Sequence, residues 1–167
     1  MAFTDGLVQF VTFSCYHRRR LLDHDQCKQA VIGVLAGELI RQEAKCTGFV
    51  VMPDHVHAIV HVSKSDSFPL FMKQWKQRSS VQIKRLVSAN LINYSAHIAP
   101  DEPVWQRKYY AFELHTDAKL LEKLNYMHLN PVRAGLAAQA TDWPHSSAGW
   151  YEQGRPVGVP LALAGVA

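Results

Sequence analysis

The sequence predicts an α+β fold with one antiparallel β-sheet and helices packed on one of its faces. Three observations predict it: short segments rich in β-branched and aromatic residues, longer segments with apolar residues at helical spacing, and a tight turn joining two predicted strands. The order of these elements is β-α-β-β-α-β followed by one more helix, which is the ferredoxin-like arrangement. With 167 residues and 48% hydrophobic content, the chain is long enough for one domain with a buried core.

The first four elements run from a strand through a helix to a hairpin. The segment VQFVTFS is β-branched and aromatic, and the helix that follows it has Asp23 or Asp25 as its expected N-cap. Pro53 and Asp54 form the tight turn of the hairpin. The predicted bounds are residues 8–14, 25–44, 47–52 and 55–62.

The last three elements are a long basic helix, a fourth strand and a final helix. Their predicted bounds are residues 68–91, 106–114 and 116–129, with a loop over residues 90–103. Pro131 and Gly135 are expected to end the final helix, and Asn130 is expected at its frayed end because a residue before proline avoids helical geometry. We expect residues 1–153 to form the domain and residues 154–167 to form a C-terminal tail.

Charge and cysteine content restrict the function classes. Eighteen Lys and Arg residues against 14 Asp and Glu give a net charge of +4, which favours a polyanionic partner. The three cysteines, Cys15, Cys27 and Cys46, have no C-x-x-C spacing, so neither a disulfide framework nor a thiolate zinc site is indicated. No apolar run is long enough to span a bilayer. We therefore expect a cytoplasmic protein with no membrane partner.

The stretch VVMPDHVHAIVHV, residues 50–62, places three histidines at alternate positions of a strand. Alternate residues share a face, so His55, His57 and His61 lie on one side and the small apolar residues on the other. The roots of neighbouring imidazoles are then about 6.5–7 Å apart, which allows His55 and His57 to converge on one ion. An isolated H-x-H pair is also compatible with structural histidines. We interpret His61, farther along the strand, as a bystander.

The segment KLLEKLNYMHLNPVRAG, residues 119–135, combines an apolar stripe with a polar one. At about 100° per residue, the apolar stripe is predicted to contain Leu120, Leu121, Leu124 and Met127. Lys119, Lys123, Tyr126 and Asn130 gather away from it. A helical tyrosine often packs in a core, but a phenol flanked by cations is suited to deprotonation or to contact with a phosphate.

Basic and aromatic residues alternate in two further segments, VWQRKYYAFELH at residues 104–115 and YHRRR at residues 16–20. Basic groups bind phosphates and aromatic faces stack on unpaired bases, as expected of a single-strand binding surface. A solvated strand end with core aromatics is the alternative interpretation. The candidate DNA-binding residues are Arg18, Arg19, Lys73, Lys76, Arg78, Trp105, Arg107, Lys108, Tyr109, Lys119, Lys123 and Arg133.

Together these segments resemble the HUH single-tyrosine transposases, specifically the REP-associated tyrosine transposases. The resemblance rests on four motifs in order: VVMPDHVHAIVHV, VWQRKYY, LNYMHLNPVRAGL and DWPHSSAGWY. It implies that His55 and His57 are metal ligands, that Tyr126 is the nucleophile and that Asn130 supplies a third ligand. The additional C-terminal helix of the predicted fold would then carry the nucleophilic tyrosine.

The same resemblance implies the substrate and the cofactor. Such proteins use a divalent ion, Mg²⁺ or Mn²⁺, to cut and rejoin single-stranded DNA at hairpins of repetitive extragenic palindromes, through a 5′-phosphotyrosine intermediate. Imidazole ligands suit zinc or manganese better than magnesium, so the residues themselves support only a divalent cation. The expected partner is a single-stranded DNA hairpin, and the expected state is a monomer or a homodimer.

Two other functions remain open at this stage. A ferredoxin-like module could bind single-stranded nucleic acid or a hairpin without cutting it, although it would not need the set of His55, His57 and Tyr126. A structural protein stabilised by zinc through histidine and cysteine is the other alternative, and the scattered cysteines weigh against it.

Overall fold

One four-stranded antiparallel sheet organises the chain. The computed structural model describes residues 6–89, 98–99 and 101–162. Its strands are β1 (Leu7–Ser14), β2 (Lys45–Val51), β3 (His55–Val62) and β4 (Tyr110–Glu113), in the sheet order β2-β3-β1-β4. This connectivity confirms the predicted fold class.

Helices cover both faces of the sheet, so the expectation of helices on one face only is wrong. The helices are α1 (Asp25–Arg41), α2 (Phe68–Ser88), α3 (Asp117–Arg133) and α4 (Ala148–Gln153). Helix α3 lies on the face that α1 and α2 leave open. The face that carries Val56, Ala58 and Val60 packs in the same core as residues of α1 and α2 and is fully buried. On the opposite face, Phe10 and Ile59 pack with the apolar side of α3. The alternation predicted for β3 therefore separates two cores.

A close approach at Gly48 lets α3 lie on β2. A Cβ at Gly48 would clash with Leu124 Cδ1 and would stand 3.2 Å from Met127 Cε. Gly48 also follows a break in the β2–β3 register, where Cys46 pairs with Val60 and Gly48 with Ile59. Only a residue without a side chain fits between the sheet and this helix.

A serine after the third helix ties α3 to β2. Ser147 Oγ accepts a hydrogen bond from the Phe49 amide at 3.0 Å and lies 2.7 Å from His128 Nε2. Farther along the chain, Val157 and Val159 are buried in the core on the α1 and α2 side. Leu161 bridges to Cys46 of β2.

The third helix differs from its prediction at both the proline and the leucine stripe. It continues through Pro131 to Arg133, so the expectation that Asn130 is frayed is wrong. A proline there removes the N–H that would bond to Met127, only one turn from the helix end, and the helix absorbs the loss. Gly135, at φ +74°, ends the turn, where the Leu136 amide donates to the Pro131 carbonyl. Leu121 is 48% exposed, so it does not belong to the buried stripe.

The other bounds differ mostly at their ends. The predicted fourth strand over residues 106–114 is shorter in the structure, where β4 covers only Tyr110–Glu113. Before it, Lys76 Nζ donates to the carbonyls of Gln106 and Arg107 at 2.9 and 3.1 Å. Helix α1 is capped by His24 rather than by an aspartate, since His24 Nδ1 accepts from the Gln26 amide. Most of the predicted loop at residues 90–103 lies outside the described residues.

Candidate active site on the sheet face

His55 and His57 stand at the start of β3 on the face that α3 partly covers. Their ring centroids are 4.8 Å apart at 79°. Each Nδ1 has a partner: Asp54 Oδ1 lies 2.7 Å from His55 Nδ1, and Thr12 Oγ1 lies 2.7 Å from His57 Nδ1. A proton on Nδ1 satisfies both contacts and leaves the Nε2 lone pairs available as ligands.

The local electrostatics hold His57 neutral and Asp54 charged. Burial lowers the pKa of His57 to about 3, and the neighbouring charges of His55 and Arg18 act in the same direction. Burial alone would raise the pKa of Asp54, but the hydrogen bond and charge of His55 and the charge of Arg18 lower it. At neutral pH His57 is therefore an unprotonated imidazole, the form that binds cations.

Helix α3 places Tyr126 and Asn130 against the two histidines. The Tyr126 ring is 5.7 Å from the His57 ring and 6.3 Å from Phe10, and the residue is 45% exposed. One turn later, Asn130 Nδ2 lies 3.4 Å from His55 Nε2. Two residues of α3 that are four positions apart thus bring a phenol and an amide to two residues of one strand.

Two cations flank the Tyr126 ring. Lys123 Nζ lies 5.7 Å from its centroid, and the Arg133 guanidinium carbon lies 4.5 Å from it. Arg133 also donates to the Tyr126 carbonyl, which fixes the guanidinium against the ring. The same ammonium of Lys123 lies over Phe10 and Phe112 at 5.2 and 5.4 Å. The phenol is therefore held where positive charge can stabilise an anion.

The donor set fits a cation only if Asn130 takes part. No group of three His, Cys, Asp or Glu residues that could hold a metal occurs among the described residues. Instead, the Asn130 amide lies 3.4 Å from His55 Nε2, and the His57 ring lies beside the His55 ring with centroids 4.8 Å apart. The oxygen and nitrogen of an amide exchange places by a half-turn of the side chain, so Oδ1 of Asn130 can face the histidines. Such neutral donors leave a cation's charge uncompensated and available to a phosphate.

The cysteines do not contribute to this set. Cys15, Cys27 and Cys46 are all buried, and burial raises the pKa of their thiols to about 12, 11 and 12. Thiols that do not ionise are poor zinc ligands. The alternative of a zinc-stabilised structural protein loses its support.

The predicted DNA-binding residues fall into three groups. Arg18, Lys123 and Arg133 lie at the site, and Arg18 Nε is 3.2 Å from Asp54 Oδ2. A second group lines one cavity between α2 and the segment before β4: Lys73, Lys76, Trp105, Arg107 and Tyr109. Lys108 lines a smaller cavity beside it.

The remaining candidates have acidic partners. Arg19 contacts Glu102 at 2.7 Å, Lys119 contacts Glu122 at 2.7 Å, and Arg78 contacts the buried Glu38 at 3.3 Å. The ion pairs of Arg19 and Lys119 are at the surface and contribute little to stability. Arg78 lies between α1 and α2, on the side of the sheet that is opposite the histidines.

Trp105 needs a correction. It is 5% exposed, packs edge-on against Phe13 with centroids 4.6 Å apart, and donates to Ser79 Oγ at 3.1 Å. The alternative interpretation, a core aromatic, applies to it. Its ring can form a cavity floor but cannot be sandwiched between bases at the surface.

Sequence reasoning missed Asp54, Thr12 and Phe112 as site residues. Asp54 was assigned only to the turn, although an acidic residue beside the first histidine could have indicated its role. Thr12 and Phe112 are found only through the register, since Thr12 pairs with His57 and Phe112 pairs with Phe10. Nothing in the sequence gives that register directly.

A ferredoxin-like sheet with two histidines on one face, and a helical tyrosine held against them, is the arrangement that the resemblance to tyrosine transposases predicts. The family model described as "Transposase IS200 like" matches residues 4–129. The chain belongs to this family.

Relatives of this chain carry related names. A REP-associated tyrosine transposase of Escherichia coli is 23% identical over 145 residues, covering 85% of this chain and 76% of that protein. A candidate REP-associated tyrosine transposase of Haemophilus influenzae is 24% identical over 98 residues, covering 58% of this chain and 54% of that protein. The chain thus spans about half the length of the second relative.

Two solved structures share the fold. A structure described as a REP-associated tyrosine transposase bound to a REP hairpin superposes with a TM-score of 0.69 at 19% identity, covering 96% of this chain and 88% of that one. A candidate transposase from Deinococcus radiodurans superposes with a TM-score of 0.54 at 15% identity, covering 75% and 92%. Among the described helices none is both long and apolar enough to cross a membrane.

Proposed function

We propose that this chain is a metal-dependent single-stranded DNA endonuclease and strand transferase that acts at hairpins of repetitive extragenic palindromes. One observation carries the proposal: Tyr126 and Asn130 of α3 meet His57 and His55 of β3, with ring centroids 5.7 Å apart in the first pair and nitrogens 3.4 Å apart in the second. A helix that served only to pack against the sheet would not need to place a phenol and an amide beside two imidazoles.

The chemistry assigned to Tyr126 is a reversible transfer of a phosphoryl group. Its oxygen attacks the phosphorus of the scissile phosphodiester, the phenolic proton passes to water, and the bond to the 3′ oxygen breaks. The 3′ oxygen takes up a proton and leaves as a hydroxyl, so the phosphate stays on Tyr126 as a 5′-phosphotyrosine. A second 3′-hydroxyl reverses the attack and releases the phenol. Bonds are exchanged one for one, and no oxidant or ATP is required.

Side chains around Tyr126 divide the remaining work. His55, His57 and Asn130 would hold Mg²⁺ or Mn²⁺, and a bound cation polarises the phosphate and neutralises charge on its oxygens. Lys123 and Arg133 orient the phenol and stabilise the negative charge that develops beside it. Asp54 and Thr12 orient the two imidazoles through their Nδ1 atoms.

The relatives support the proposed hairpin partner, and the geometry of the site supports the proposed oligomeric state. Two relatives are named REP-associated transposases, and a solved neighbour is bound to a REP hairpin. Tyr126 meets the histidines of its own chain, so a second copy is not required to complete the site. We therefore propose that a monomer can carry out cleavage in the cytoplasm.

The test is the covalent adduct. Purified protein is incubated with Mg²⁺ or Mn²⁺ and a hairpin oligonucleotide whose sequence is taken from palindromes beside the gene. The label is on the part of the oligonucleotide that lies 3′ of the scissile phosphate, because this part stays attached to Tyr126. Denaturing electrophoresis should show labelled protein that disappears with a chelator and in Tyr126→Phe. Tyr16→Phe, a tyrosine outside the site, is the matched control and should still form the adduct.

Two results would reject the proposal. An adduct that persists in Tyr126→Phe would exclude this tyrosine as the nucleophile. Tight hairpin binding with no adduct under either cation would favour the alternative, a non-catalytic module that binds single-stranded nucleic acid.

A further inference from the structure

Five of the residues predicted to bind DNA surround one cavity on α2, far along the chain from the histidines. This α2 cavity has a volume of about 400 Å³ and lies between α2 and the segment of residues 103–109. Val104 and the edge of Trp105 form its apolar floor, because both are buried. A pocket of this size with an apolar floor and polar groups around it suits a flat organic ligand.

The Tyr109 ring forms one wall of the α2 cavity and is held in place. It packs edge-on against Phe68 with centroids 6.0 Å apart, and Lys76 Nζ lies 5.7 Å from its centroid. Lys76 itself is committed to the carbonyls of Gln106 and Arg107. Lys76 therefore shapes the wall, while the exposed Lys73 and Arg107 place positive charge at the rim.

A second, smaller cavity is lined by Tyr109 and also by Thr12, which contacts His57. It has a volume of about 280 Å³ and shares Gln106 and Tyr109 with the α2 cavity. At its other end it is lined by Thr12, whose hydroxyl contacts His57, and by Tyr110, which is 62% exposed. Lys108 lies along the same path. The two cavities adjoin at Gln106 and Tyr109, and their linings together run from Thr12, beside His57, past the start of β4 to α2. We call these two adjoining cavities the track.

A competing groove of about 560 Å³ does not have these properties. It lies between α1 and α2, with Arg41, Arg78 and Arg85 in its lining. Two of these arginines are paired with Glu38, which is 1% exposed. This groove also faces away from the histidines, on the other side of the sheet. It offers less uncompensated charge and no route to Tyr126.

We propose that the track binds the unpaired DNA strand beside the scissile phosphate and that the α2 cavity receives one nucleobase against Tyr109. The flat apolar walls match the faces of a base, and the cations at the rim match the phosphates on either side of it. The inference rests on the proposed function and adds to it a position for the single strand. Bases are held by stacking, so the cavity accepts different bases.

The experiment measures binding without cleavage. In a Tyr126→Phe background, fluorescence anisotropy follows a fluorescein-labelled oligothymidylate, and Ser80→Trp fills the α2 cavity from the helix. We expect binding to weaken about tenfold, the loss of one stacked base. Ser88→Trp makes the same change on the same helix outside the cavity and should bind as the parent does.

A second pair of variants tests the positive charge at the rim of the α2 cavity. It does not depend on whether the fold tolerates a tryptophan at position 80. Lys73→Gln should reduce the slope of log affinity against log salt by about 0.7, the value for one phosphate contact on a single strand. Lys64→Gln, an exposed lysine at the far end of the sheet, should leave the slope unchanged. Unchanged affinity in Ser80→Trp together with an unchanged slope in Lys73→Gln would overturn the proposal.

Cross-linking locates the base directly. Oligothymidylate carrying one 5-iodouracil should cross-link on irradiation to the peptide that contains Tyr109, and cross-links confined to the groove between α1 and α2 would overturn the proposal. If the track does not bind DNA, the result of the adduct test is unaffected, because that test measures only the covalent attachment of DNA to Tyr126. Failure of the adduct test with normal binding here would instead reject the catalytic proposal.

Discussion

Gly48→Ala tests whether the close packing of α3 on β2 supports both stability and the site. The added methyl would clash with Leu124 Cδ1 and stand 3.1 Å from Ser147 Oγ and 3.2 Å from Met127 Cε. Those side chains are 5%, 0% and 0% exposed, so none of them can turn into solvent. The helix must move away from the sheet.

The expected loss of stability follows from two opposing effects. Overpacking a dense core costs about 1–3 kcal/mol, and replacing a strand glycine returns about 0.5–1 kcal/mol of backbone entropy. The net loss is about 1–2 kcal/mol, which for a chain of this size lowers Tm by roughly 2–8 °C. Urea denaturation should show a lower midpoint with an unchanged m-value.

The same displacement should slow formation of the adduct. Tyr126 and Asn130 follow Leu124 on α3, and a shift of a fraction of an ångström separates them from the histidines. A misplacement of about 1 Å costs up to about a hundredfold in rate, so we expect the adduct rate to fall at least tenfold. Gly33→Ala is the control, because a methyl there meets no atom within 4 Å and should not destabilise the protein.

A double variant decides the cause. Leu124→Ala alone should cost about 2–5 kcal/mol through the cavity it leaves. In Gly48→Ala/Leu124→Ala the methyl enters that cavity, so the combined loss should be at least about 1 kcal/mol smaller than the sum. If the two losses add, or if Gly48→Ala is as stable as the parent, the close approach does not hold the helix.

Two further predictions concern groups with unusual surroundings. Asp54→Asn removes the carboxylate that orients His55, and the Mn²⁺ concentration for half-maximal adduct formation should rise about 10–100-fold; an unchanged value would contradict this role. Burial and then the charge of Lys28 lower the pKa of His145, while Asp25 opposes the shift. The contribution of His145 to the free energy of unfolding is therefore complete above the unfolded pKa of about 6.5. It declines as the pH falls below that value toward the lowered pKa of the folded state. His145→Gln should make the urea midpoint decline less between pH 7 and pH 5, and an identical decline would show that His145 does not contribute.

Hydrophobic patterning predicted the fold because each strand and helix has its own period. The alternation in β3 was sufficient to separate the buried residues Val56 and Val60 from His55 and His57, and the sheet order then followed from the order of elements. The length of β4 could not be predicted, because it depends on which residues pair with β1, and the sequence does not give that register. The course of α3 through Pro131 was likewise hidden, since the rule for residues before proline is local and packing overrides it.

The face of β3 that carries the candidate site is divided along the strand into a polar half and an apolar half. His55 and His57 occupy its first half, and Ile59 in the second half is fully buried under the apolar side of α3. His61 lies four residues beyond His57, about 13 Å away at the rise of a strand, and pairs across from Lys45 and Val8. The helix needs Ile59 as a base on which to pack, and its own apolar stripe ends where the histidines begin. The distance between Leu124 and Asn130 on α3 therefore sets which two of the three histidines can meet Tyr126, and the third remains outside their reach.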